Sequence, residues 1–180
     1  MTATASPLTT LAHTVWPTPE DDEAPKLPGF TASPFGPIIA HVADRCLSAH
    51  HGAHPAPAER GERTAVVLVT RLGDMATEAA VTGSVDSGKP ASPLLFYQSV
   101  PSAVLGVVAA RWGLGGPVIC ISPAGDALAD GMDLAQLLVE DGSADDVLLV
   151  LVELATRDGQ PDRARGLLVT GGVTEAGEAR

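Results

Sequence analysis

The stretch Arg63-Thr-Ala-Val-Val-Leu-Val-Thr-Arg-Leu-Gly73 decides the fold. From Thr64 to Thr70 it is a continuous, largely β-branched run held between two arginines, the pattern of a strand buried on both faces. Leu72 to Val85 then reads as a helix, which makes a β–α unit. Downstream the alternation continues. Val100 to Trp112 is small and apolar and ends at Gly113, which suits a helix C-cap. Val118-Ile-Cys-Ile121 is a short strand, Asp126 to Glu140 a helix stopped near Gly142, and Asp146 to Leu154 a second buried strand. Gly166 to Thr170 supplies one more. Upstream, Leu8 to Trp16 reads as a first strand closed by Pro17 and Pro19. After Pro37 the apolar residues Ile38, Ile39, Val42, Ala43, Cys46 and Leu47 recur at three and four, which predicts an amphipathic helix. Strands alternating with helices predict an α/β sheet with helices on both faces.

The chain has 180 residues, enough for one core, so residues 1–180 are expected to form a single domain. Three segments lack periodicity: 18–34, read as an exposed loop without a core of its own, 48–63, read as a mobile connection, and a tail at 171–180. Charged residues make up 18%, below the usual quarter or so, and 45% are hydrophobic, which favours a globular chain. Eleven basic against 22 acidic residues give a net charge of −11, so nucleic acid and anionic membrane surfaces are disfavoured partners. No apolar run approaches the roughly 20 residues that span a bilayer. Met1 to Thr18 lacks the basic start and apolar stretch of a secretory signal, which places the protein in the cytoplasm. Cys46 and Cys120 stand far apart without a CxxC, so two buried thiols are expected rather than a disulfide or zinc site.

Candidate chemistry is thin at the level of single motifs. His50, His51 and His54 lack a fourth ligand and a scaffold, so no metal site is expected. Gly113-Leu-Gly-Gly-Pro117 lies between a helix and a strand, the reverse of the order that presents amides to phosphate. Ser122 follows a strand, but Cys120 and Ala124 occupy the glycine positions of a nucleophile elbow. No cofactor is implied. Val104, Gly106 and Ala109 read as packing residues of a buried helix.

The order of several segments is more informative. Val69-Thr-Arg-Leu-Gly73, Gly88-Lys-Pro-Ala-Ser-Pro-Leu-Leu-Phe96, Gln98-Ser-Val100, Gly106 and Gly116-Pro117 together resemble the N-terminal half of a β-ketoacyl synthase of the thiolase superfamily. They are most similar to its short, chain-length-factor-like branch. The resemblance covers about half the chain and implies half of a thiolase-like fold, with a mixed, mostly parallel sheet. In that family the Gly-Pro pair opens a strand that delivers the active cysteine to a helix start eight residues after the proline. Here that position is Gly125, within Ser122-Pro-Ala-Gly-Asp126, and glycine offers no nucleophile for an acyl-enzyme. The glutamine that chain-length factors of aromatic polyketide systems carry there is also missing. Active members have two histidines in a C-terminal half, whereas all five histidines here lie at or before His54. The resemblance therefore implies no catalytic residue, and a vestigial pocket framed by Gly125, Asp126, Ser122, Phe96 and Ser99. Asp126 reads first as a helix cap. Gln98 and Val100 fall near the same mouth, although Pro101-Ser102 departs from the His-Asn of the short branch. The strand Val118, Ile119, Cys120, Ile121 matches the one through which these proteins dimerise.

The expected function is a catalytically inactive ketosynthase-like subunit that pairs with an active ketosynthase, or with itself, in polyketide or fatty-acid-type biosynthesis. One alternative is a homodimeric module binding an acyl group or acyl carrier protein, which would need a basic patch from Arg71, Lys89, Arg111 or Arg157. Another is a repurposed thiolase-fold enzyme using Ser122 or Cys120.

Overall fold

A strand as apolar as residues 64–69 needs cover on both faces, and the computed structural model of the chain supplies it. Residues 7–21, 25–88, 90, 92–157 and 159–172 are described. In chain order the elements are β1 (Thr9–Trp16), α1 (Phe35–His51), α2 (Ala58–Gly61), β2 (Thr64–Val69), α3 (Met75–Asp86), α4 (Pro93–Gln98), α5 (Pro101–Trp112), β3 (Val118–Ile121), α6 (Ala127–Glu140), β4 (Asp146–Glu153) and β5 (Arg163–Thr170). The strands form one sheet in the order β1-β5-β4-β2-β3. β2 pairs in parallel with both β3 and β4, while β5 runs antiparallel to β4 and β1. Only β5 is reversed, so four of the five described strands run one way, and the mixed sheet has two parallel and two antiparallel pairings.

Alternation along β2 sorts its side chains between two cores. Val66 and Leu68 join Leu148 and Val150 under α1 and α5. Ala65, Val67 and Val69 join Val147 and Leu149 under α6. Each fully buried Val or Leu stabilises the fold by about 1.5–3 kcal/mol relative to exposure. Between α5 and β3 the chain turns close to the start of β2. Gly113 closes α5 with φ +69°, and a Cβ on Gly116 would lie 2.6 Å from the carbonyl carbon and oxygen of Thr64. The Gly116-Pro117 pair thus reflects a close backbone approach.

Several expectations need correction. Residues 48–63 open inside α1, which runs on to His51, and include α2. They are pinned to the end of α5 by the Ala56 amide, which donates to the Trp112 carbonyl (3.0 Å). The loop at 18–34 does contribute to the core, because Leu27 and Phe30 are buried. Asp21 accepts two hydrogen bonds from Arg45 of α1 (3.0 and 3.1 Å). Residues 22–24, Lys89 and 173–180, which include most of the expected tail, lie outside the described residues. β5 begins three residues earlier than its apolar run, at Arg163. Cys46 is buried as expected, but Cys120 is exposed because β3 is an edge strand. Gly106 is exposed with open space around it, and only Val104 and Ala109 of the expected packing trio meet the core. No helix among the described residues is long and apolar enough to cross a membrane.

Candidate functional site

Because β2, β3 and β4 are parallel, their carboxyl ends emerge at one edge of the sheet, where α/β folds build their sites. Three chain segments meet there: Thr70-Arg71 after β2, Ser122–Asp126 after β3, and Glu153 at the end of β4. The Arg71 amide donates to Glu153 Oε1 (2.7 Å), and the Arg71 guanidinium donates to the Gly125 carbonyl. Ser122 Oγ donates to the Arg71 carbonyl over a long 3.4 Å. One arginine thus ties all three strand ends together.

The start of α6 is built by two carboxylates. Asp126 is the N-cap, its Oδ1 accepting from the Ala129 amide (2.9 Å), which is the capping role read from the sequence. Asp130, in the first turn, folds back so that Oδ2 accepts from the amides of Ala124 (2.7 Å) and Gly125 (3.0 Å). Both charges favour the positive end of the helix. Two backbone amides that could otherwise hold a reaction oxyanion are therefore already held by an internal one. Position 125 itself is roomy. A Cβ built there meets nothing closer than Asp130 Oδ1 at 3.8 Å, and the backbone is outside the left-handed region. A side chain is missing from this site without any steric demand for its absence.

Ser122, Gly125 and Asp126 fall in one turn between β3 and α6, while Phe96 lies on α4 and Ser99 just after it. Phe96 lies on α4, which packs on α3 and α5, and is 65% exposed. Ser99 Oγ donates to the Phe96 carbonyl (2.7 Å), and no hydrogen bond among the described residues joins either to the 122–126 turn. Gln98 is buried and its Oε1 accepts from the amides of Thr31 (2.9 Å) and Ala32 (3.0 Å), so it clamps the loop before α1. Val118 to Ile121 form the outer strand. Val118 and Cys120 point to the α5 face and Ile119 and Ile121 to the α6 face, by their register with β2. Neighbouring atoms desolvate the Cys120 thiol and push its pKa up, against a nucleophilic role; burial pushes Cys46 up to about 11.

Arg111 pairs with Asp44 of α1, far from Arg71, so the two do not make one basic patch. His50 and His51 stack edge to face, and His54 lies against Trp112. Among the described residues no three His, Cys, Asp or Glu side chains gather as metal ligands would. Sequence reading missed the roles of Arg71 and Asp130. Its only signal for the second was an acid in the first turn of a helix, which fits many helices.

The family model described as Beta-ketoacyl synthase, N-terminal domain, matches residues 33–159. The chain belongs to this β-ketoacyl synthase family. Solved structures of similar fold include a ketosynthase (ApeO) in complex with its chain length factor (ApeC) from Xenorhabdus doucetiae, at 18% identity and a TM-score of 0.66. That match covers 94% of this chain and 80% of that one. The ishigamide ketosynthase/chain length factor matches at 19% identity and 0.59, covering 84% and 50%. A β-ketoacyl synthase from Burkholderia phymatum STM815 matches at 14% and 0.66, covering 93% and 59%. This chain thus spans only 50% and 59% of the length of the latter two. A comparison with curated proteins finds no match. In this ketosynthase-like domain the thiolase-type half-fold places Gly125 at the start of α6, after β3, where the resemblance puts the family's nucleophile.

Proposed function

We propose that the chain is a non-condensing, chain-length-factor-like subunit that associates with an active ketosynthase in polyketide or fatty-acid-type synthesis. The observation that carries this reading is Gly125. The residue at the head of α6 has no nucleophilic atom, and the amides beside it are bonded to Asp130. β3 supports the second half of the reading, since it pairs on one side only and leaves an edge able to extend a sheet into another chain. Two structures of similar fold, a ketosynthase in complex with its chain length factor and a ketosynthase/chain length factor, support the same reading. Light scattering of the chain alone and after co-expression with the ketosynthase encoded nearest to it tests the proposal. A stable mixed particle supports it. A particle of about twice the mass of one chain that ignores the ketosynthase overturns it in favour of self-pairing.

A further inference from the structure

On its side of the sheet α6 packs on β2 and β4, and leaves the start of β5 and the end of β1 uncovered. An open cleft of about 560 Å³ lies there, lined on its apolar side by Val15, Trp16, Ala127 and Leu151. That volume falls within the range of small-molecule sites. Arg163 and Arg165 also line it, two residues apart on β5 and hence on one face, roughly 7 Å apart along the strand, with Arg165 in register between Val15 and Leu151. Both are exposed, and among the described residues neither guanidinium meets a carboxylate or a hydrogen-bond acceptor. Arg163 has an obvious candidate across the strand pair in Glu153, but Glu153 Oε1 is turned to the Arg71 amide. Among the described residues, Glu153 is the single carboxylate lining the cleft. Two cations against one anion at an apolar hollow is an inversion in a chain with 22 acidic and 11 basic residues.

We propose that this cleft binds an amphipathic carboxylate, its apolar body along Val15, Ala127 and Leu151 and its head on Arg163 and Arg165. Guanidinium groups match a carboxylate with paired, charge-assisted hydrogen bonds. Binding here requires neither a partner subunit nor acyl transfer, so it stands apart from the subunit reading. The ligand keeps its negative charge, which a thioester lacks.

Calorimetric titration of the full chain with sodium decanoate, below its micelle concentration, is the test. Saturable binding is expected, with acetate and 1-decanol both at least tenfold weaker. Arg163→Gln/Arg165→Gln should weaken decanoate at least tenfold, and Val15→Glu should abolish the signal, with circular dichroism unchanged because all three positions are exposed. Absence of decanoate binding, decanol binding as tightly as decanoate, or full affinity in the double variant would each overturn the proposal. The decanol comparison uses the unmodified chain and decides the matter even if a variant folds poorly.

Discussion

At the turn between β3 and α6, Asp130 does with its carboxylate what a bound oxyanion would do, and this sets what a restored nucleophile could achieve. A cysteine at position 125 has room, since the nearest atom to its Cβ is Asp130 Oδ1 at 3.8 Å. The helix start favours a thiolate, but a carboxylate in contact opposes it. Gly125→Cys should therefore fold, with a thiol titrating no lower than the ordinary value of about 8.5; adding Asp130→Asn should lower it by about one unit. Ultraviolet titration of the thiolate checks both. Two histidines carry a second prediction. Burial first, and then Arg45, lower the pKa of His41, against the opposite pull of Asp21 and Asp44. Burial and His50 lower that of His51, whose Nε2 is buried and has no hydrogen-bond partner among the described residues. The fold thus prefers both rings neutral. That contribution is complete above the ordinary value of about 6.5 and is lost as the pH falls from there through the folded values. Urea unfolding should show stability dropping on acidification below that point, and His51→Gln should flatten the slope.

Among the elements, β2, β4 and α6 were legible because each writes its burial into its own residues: nearly continuous apolar runs rich in valine for the strands, a 3.6 period and a capping aspartate for the helix. The start of β5 was not, because Arg163, Ala164 and Arg165 carry no apolar run and are held as strand by pairing with β4 and β1. α2 and the end of α1 were missed for a related reason, as their anchors are partners distant in sequence, such as the Trp112 carbonyl. The site followed the same division. Gly125 and Asp126 could be placed by counting along the chain, whereas the Arg71 bond to Gly125 spans 54 residues that no local pattern links. Gly116 belongs to this scale too. An Ala there would push its Cβ to 2.6 Å from the Thr64 carbonyl, a backbone group fixed inside β2. Gly116→Ala should cost at least about 2 kcal/mol, read as a lower midpoint in urea. Gly125→Ala, whose Cβ would meet only Asp130 Oδ1 at an ordinary contact of 3.8 Å, should change stability by less than about 0.5 kcal/mol.

For the whole molecule, exposed apolar surface is unevenly placed. Among the described residues, seven of the ten large hydrophobic residues that remain exposed fall between Leu72 and Val100, and another, Val118, sits on the free edge of β3. Clusters of exposed apolar residues can mark surfaces for association with another chain. Val118→Lys should leave the monomer's unfolding midpoint nearly unchanged and weaken the mixed complex at least tenfold, measured by sedimentation. An unaltered complex would exclude the β3 edge as the contact. The sheet order carries one further consequence. Among the described strands β1 pairs with β5 alone, in a register running from Thr9 against Thr170 to Trp16 against Ala164. Among the described residues, the strand at 9–16 has only the strand at 163–170 beside it in the sheet, so during synthesis on the ribosome it must wait without a strand partner until residues 163–170 have left the exit tunnel. Premature termination before Arg163 would strip two strands from the sheet at once and leave β4 as a bare edge, which marks such truncated products for aggregation or degradation.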